Sequence, residues 1–286
     1  MRHVPAGYVA VVRDGWSMWV ASSWIECVPT LLAANAAREG WMRRSKHART
    51  RSVEIGDRRV YLKTYHRYRW RDAVLEILRP TKAERALRAS VALQAAGFRV
   101  PRPVACAVRR RWGAVRGAFF VAEDAGGRDL QTAIADLGSR RSPSEKWRLL
   151  RRLGAEVGAL HQGGVYHGDL VPPNVRVRAE GDGIEVLFMD HDRTRVRLGG
   201  RVVSLRQARR NLVQLNRFVI PSLTATDRWR VFRAYCRART LDARLARELA
   251  RRVMRATARR RRVIDGVARA DHMSFRVLMR TVGPRS

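Results

Sequence analysis

Three polar side chains crowd the segment VYHGDLVPPNVRV (165–177): His167, Asp169 and Asn174, with two prolines between the last two. Asp190 and Asp192 close the apolar run IEVLFMDHD, and far upstream Lys63 sits in VYLKTY and Glu84 in KAERAL. An aspartate can take a hydroxyl proton, an asparagine and a carboxylate offer hard oxygens to Mg2+, and an ammonium neutralises phosphate oxygens. Phosphoryl transfer asks for little more, because its loose transition state is served by positioning and charge neutralisation. On this chemistry Asp169 is the base, with His167 in the same catalytic loop. Asn174 and Asp190 hold the metal, and Asp192 either shares it or is solvated. Lys63 bridges the α- and β-phosphates, and Glu84, on the helix that follows, is expected to hold Lys63 in place; Glu76, eight residues upstream, is the alternative. Singly, each residue has a plainer reading: a strand Lys or helix Glu is usually exposed, a lone His is satisfied in a core, and an Asp after a strand starts a turn. The ordered set is what points to chemistry.

The elements that must position these residues can be read from hydrophobic periodicity. RSVEIGDRRVYLKTY shows two alternating runs around Gly56-Asp57, a turn-forming pair, so Lys63 falls on a strand face opposite Leu62. TKAERALRASVALQAAGF reads as a helix capped by Gly97. VPRPVACAV and GAFFVAED read as strands, and the Gly-rich EDAGGRDL after them is the expected hinge. SPSEKWRLLRRLGAEVGALHQGG is helical, with Ser142 as its cap, and NVRVR and IEVLFM are short strands around Gly181-Asp182-Gly183. From Ser204 to about Arg262 the pattern is helical throughout, with Leu212, Leu215, Val219, Trp229, Phe232 and Tyr235 as expected core. The expected division is an N-terminal extension (1–45), a small β-rich lobe (46–124) and a larger helical lobe (125–286). In the extension, Trp16, Trp19 and Trp24 either form an interfacial face or, the preferred reading, pack against the main domain.

Composition narrows the setting. The chain has 286 residues, 46% hydrophobic, enough for a sizeable core. Lys and Arg total 59 against 25 acids, a net charge of +34, which draws such a surface to polyanions or to an anionic membrane. Only four of the basic residues are lysines (Lys46, Lys63, Lys82, Lys146), so a lysine marks a place where a compact ammonium is wanted. Cys27, Cys106 and Cys236 show neither metal-type spacing nor a CxxC pair, which fits a reducing compartment. No signal peptide or spanning segment is expected: the longest uncharged runs near the start, Gly15 to Ile25 and Cys27 to Ala37, are eleven residues each. The expected location is cytoplasmic, with the protein able to lie on the cytoplasmic face of a membrane.

A Lys on a strand, a Glu on the next helix, an HxD…N loop and an apolar strand ending in Asp, in that order, resemble the protein-kinase-like superfamily. LHQGGVYHGDLVPPNV and FMDHDRTRV carry that resemblance, and AERALRASVALQAAGFRVPRPV and ARRNLVQLNRFV make the chain similar to one branch, the lipopolysaccharide core kinases, over about residues 45 to 240. The resemblance implies a bilobal α+β kinase-like fold with ATP and Mg2+ as cofactors. Glu123 is placed with Lys63 and Glu84 around the nucleotide. The implied acceptor is a Kdo or heptose hydroxyl on a glycolipid at the inner membrane. No GxGxxG precedes Lys63, so phosphate contact there is expected from backbone or arginines; Gly168 replaces the Arg of HRD and no APE-like segment follows Asp190, which favours a small-molecule or glycolipid acceptor over a protein. The competing readings are a kinase of the same fold for an aminoglycoside, a choline-like alcohol or a protein, and a non-catalytic pseudokinase or basic binding module. The retained Lys63, Asp169, Asn174 and Asp190 argue against the last, and nucleic acid as partner is not favoured.

Overall fold

A computed structural model describes residues 4–44, 48–66, 76, 79–139, 143–181, 183–197, 199–218, 220 and 222–270. Lys46, Ser142, Asp182 and Val219 lie outside the described residues. The chain divides into two compact units, Met1–Ala125 with Asp190–Thr194, and Gly126–Met189 with Arg195–Ser286.

The first unit is built on one antiparallel sheet. Its strands are β1 (Tyr8–Arg13), β2 (Trp16–Ala21), β3 (Arg43–Arg44), β4 (Ala48–Ile55), β5 (Arg58–Tyr65), β6 (Pro103–Arg111) and β7 (Ala114–Glu123), in the order β1-β2-β6-β7-β5-β4-β3. Alternation sorts its side chains onto two covered faces. Met18, Val20, Val60, Leu62, Phe119 and Val121 pack with Trp24, Val28 and Leu31 of the segment leading into and through helix α1 (Val28–Ala36). Trp19, Tyr65, Cys106 and Ala118 face the other way, onto Ala83 and Leu87 of helix α2 (Lys82–Ala95). Residues 4–44 therefore supply three strands and a helix to this unit, and Trp16, Trp19 and Trp24 are all buried in it. Helix α2 begins with a capping box, in which Glu84 N–H donates to Thr81 Oγ1 and Thr81 N–H to Glu84 Oε2 (2.7 Å). It ends where Gly97 N–H and Phe98 N–H fold back onto the carbonyls of Gln94 and Leu93.

The second unit is mostly helical. It holds β8 (Arg128–Asp129), α3 (Leu130–Ser139), α4 (Pro143–Gln162), β9 (Val165–Tyr166), β10 (Val175–Glu180), β11 (Gly183–Phe188), β12 (Arg195–Val196), α5 (Leu205–Asn216), α6 (Ala225–Ala238) and α7 (Ala243–Ala270). β10 pairs with β11 and β8, and β9 with β12. Helices α4 and α6 meet so closely at Gly154 and Gly158 that an added Cβ would lie 2.2 Å from Val231 O and 2.6 Å from Ala238 Cβ. Buried Asp227 in the first turn of α6 takes Lys146 Nζ of α4 at 2.9 Å.

Two expectations need correcting. The stretch from Ser204 is three helices rather than one run. One helix ends at Asn216 and the next begins at Ala225, capped by Thr224, and a second break falls at 239–242, where Thr240 adopts φ +46°. Trp229 is half exposed instead of core: α6 turns Val231, Ala234, Tyr235 and Ala238 to α4, leaving Trp229 at the margin, stacked on Phe232.

Candidate active site

In the first unit, β5 alternation buries Leu62 under α1 and turns Lys63 to the α2 side, beside the Tyr65 ring. Lys63 Nζ donates to Asp190 Oδ1 at 2.5 Å and to Asp192 Oδ2 at 3.3 Å. Asp190 adopts φ +62°, a left-handed conformation that Asp tolerates better than most residues, and it opens a short 3-10 turn, His191–Arg193. Arg85 of α2 anchors that turn through Asp192 O (3.2 Å). Burial opposes the ammonium of Lys63, but Asp190 and Asp192 outweigh it and hold its pKa above the ordinary lysine value. Burial, and then the charge of Asp190, push Asp192 above the usual carboxylate range against the pull of Lys63.

Glu84 is not the partner of Lys63. Its carboxylate is committed to the backbone of Thr81 at its own helix start. Glu123, at the end of β7, is ion-paired with Arg58.

In the second unit, the loop between β9 and β10 carries His167, Gly168, Asp169 and Asn174. His167 is fully buried. Its Nδ1 accepts from Asp169 N–H (3.4 Å), which leaves the ring proton on Nε2 to donate to Met189 O (2.9 Å). With both nitrogens on backbone, His167 positions the loop. Gly168 holds φ +77°, a conformation an arginine at this position would adopt only with strain. Asn174 follows Pro172 and Pro173 in a 3-10 turn, and its Nδ2 donates to Asp169 O (3.0 Å) and, more weakly, to Oδ2 (3.5 Å). That bond fixes the amide so that its oxygen is free of Asp169. Met189 N–H donates to Asn174 O (2.9 Å), tying the loop to the end of β11.

Three residues to which the sequence reading gives no role support the loop from behind. Asn211 and Gln214, one turn apart on α5, form a chain of side-chain amides. Asn211 Oδ1 accepts from His167 N–H and His161 Nε2, and its Nδ2 donates to Gln214 Oε1. Gln214 Oε1 also accepts from Leu170 N–H, while its Nε2 donates to Gly168 O. His161 Nδ1 accepts from Tyr235 (3.1 Å), and burial lowers the pKa of this histidine to about 4, so it stays neutral. The available signal is the pair of amides at i and i+3 in RRNLVQLN, on the face of a helix that otherwise buries Ala208, Leu212 and Val213.

Among the described residues no cluster of three or more His, Cys, Asp or Glu could hold a metal ion. In the first unit Asp190 and Asp192 supply two carboxylates that both bind Lys63 Nζ, a hard, oxygen-only pair. Mg2+ is commonly bound by one or two carboxylates, with substrate phosphates and water completing its shell, so these donors fit it.

Comparison with known proteins gives the chain a family. A search of curated protein sequences returns no match. Among solved structures, WaaP in complex with acyl carrier protein is similar with a TM-score of 0.57 at 21% identity, over 79% of this chain and 92% of that one, which shows a kinase-like fold. The model of the lipopolysaccharide kinase (Kdo/WaaP) family matches residues 31–235, which span Lys63, the His167–Asn174 loop, Asp190 and α5. The chain belongs to the lipopolysaccharide kinase (Kdo/WaaP) family and is a phosphotransferase with an alcohol acceptor.

Proposed function

We propose that the protein transfers the γ-phosphate of ATP to a Kdo or heptose hydroxyl of a lipopolysaccharide core glycolipid. The observation that carries this reading is the Asp169–Asn174 bond, which gives one loop a half-buried carboxylate and a fixed amide oxygen. Asp169 accepts the proton of the acceptor hydroxyl. Asp190 and Asp192 of the first unit and Asn174 of the second are the residues that would hold Mg2+, which would supply charge neutralisation on the phosphates. Lys63 moves from its carboxylates onto the α- and β-phosphates. The glycolipid and the charge of +34 favour a position on the cytoplasmic face of the inner membrane. Asp169→Ala is expected to abolish transfer from labelled ATP to purified core oligosaccharide while keeping the thermal shift given by Mg-ATP. Full transfer by that variant rules out Asp169 as the base.

A second ligand has its own observation. The second unit contains a cavity of about 390 Å³, lined by Leu150, Leu153, Leu212, Phe232 and Val253 together with Arg228. Since the similar WaaP is in complex with acyl carrier protein, an acyl chain presented by such a carrier is the ligand this cavity suits. Filling it with Leu153→Trp should abolish retention of acylated carrier protein on the immobilised kinase; unchanged retention excludes the cavity.

A further inference from the structure

One end of the sheet in the first unit carries a surface that phosphoryl transfer does not use. Arg13, Trp16, Arg109 and Gly117 are successive cross-strand partners in β1, β2, β6 and β7. In these four strands the β1–β2 turn and the β6–β7 hairpin end lie beyond that row, so both tips leave the sheet at the same end. The two most exposed large apolar side chains among the described residues are here, Trp112 at 85% and Val12 at 80%. Five arginines accompany them in these segments (Arg13, Arg109, Arg110, Arg111, Arg116) against one acid, Asp14.

The two turns are built alike. Asp14-Gly15 and Trp112-Gly113 each have both φ angles positive, the geometry of a two-residue turn of the I′ kind, in which Asn, Asp or Gly is the usual first residue. Asp14 obeys that preference. Trp112, at φ +50°, is a bulky outlier, and its packing does not explain it: the ring is exposed, with the Arg111 guanidinium 4.5 Å above it. A strained turn that displays an indole among arginines points to a use outside the fold. Tryptophan favours the headgroup layer of a bilayer, and arginines beside it meet lipid phosphates.

We propose that this edge is an interfacial docking surface by which the first unit seats on an anionic bilayer, Trp112 and Val12 entering the headgroup layer. The choice of a lipid surface rests on the glycolipid reading of the active site, whereas the patch itself does not. A nucleic acid would use the arginines but gain nothing from Val12.

The test is sedimentation with phosphatidylcholine vesicles, with and without phosphatidylglycerol. Wild type should bind the anionic vesicles only. The double variant Val12→Ser, Trp112→Asn keeps a permitted turn residue, so its melting midpoint should equal or exceed wild type, yet its vesicle partition should fall by about tenfold. Arg109→Gln with Arg111→Gln should flatten the salt dependence of binding. Undiminished vesicle binding by the double variant overturns the proposal, and so does an equal loss of binding to duplex DNA. Transfer to soluble, deacylated core oligosaccharide, measured in parallel, should match wild type in both variants. Absence of that transfer in wild type refutes the kinase substrate and leaves the vesicle result to decide the surface.

Discussion

The backbone N–H of His167 donates to Asn211 Oδ1 at 3.3 Å, so a side chain from α5 fixes the first residue of the His167–Asn174 loop. The same oxygen takes His161 Nε2 at 3.0 Å, and the amide passes the contact on to Gln214, which holds Gly168 O and Leu170 N–H. The bonds of these two side chains thus reach both neighbours of Asp169.

Asn211→Ala strips two buried donors of their acceptor, each worth about 1–3 kcal/mol when left unsatisfied. We expect a fall in the unfolding midpoint and a loss in kcat larger than any change in KM for ATP, because the loop is misplaced while Lys63 is not. Gln214→Ala should lower kcat in the same way with a smaller cost in stability. A variant pair that loses stability at unchanged kcat would show that the amide chain supports the fold alone.

Stability should fall on mild acidification. His161 is held near 4, below its usual 6.5, so the unfolded chain binds a proton there first. Its contribution is complete above pH 6.5 and shrinks toward pH 4 by about 1.4 kcal/mol per pH unit. Denaturant melts at about pH 7, 6 and 5 check this. His161→Gln, which keeps an amide for Asn211, should remove roughly one proton from the pH slope. Identical slopes in the two proteins would place the titration elsewhere.

What the sequence disclosed was local. The Gly56-Asp57 hairpin, the helix from Lys82 to Ala95 and the Asp169–Asn174 spacing are each written within a dozen or so residues, and period and turn chemistry suffice to read them. The partner of Lys63 is 127 residues away, beyond any periodicity, so pattern alone points instead to the nearest helical acid. The Thr81-x-x-Glu84 spacing carries a warning against that choice, since a capping box already employs the carboxylate. Trp229 departs from expectation for a related reason: a helical period gives a face, but which neighbour takes that face depends on Gly154 and Gly158 of a different helix.

Those two glycines predict a packing defect without a chemical one. Gly158→Ala puts a methyl 2.8 Å from Tyr235 O and 2.6 Å from Ala238 Cβ, and neither neighbour is the free end of a flexible side chain. Helices α4 and α6 must separate, at a cost of about 1–3 kcal/mol that outweighs the better helix propensity of Ala. Because Tyr235 also donates to His161, the pH dependence of stability should weaken along with the melting midpoint. A midpoint at or above wild type would show that the two helices can part freely.

Lys63 offers the sharpest test of the charge arrangement in the first unit. Its ammonium separates two carboxylates that otherwise face each other, Asp192 already pushed up by burial and by Asp190. Lys63→Met removes the ammonium that both carboxylates bind, so Asp192 should take up a proton at higher pH than in wild type, where Lys63 pulls it down. Phosphoryl transfer should drop by about 10²–10³-fold, the usual loss when one preorganised charge on a reacting group is removed. Lys63→Arg keeps the charge and should restore stability with little activity, because a planar guanidinium cannot occupy one point between Asp190 and Asp192. Melting midpoints and single-turnover transfer measured on both variants separate the two roles. Equal activity of the Lys63→Arg variant and wild type would mean that charge alone, without compact geometry, suffices at this position.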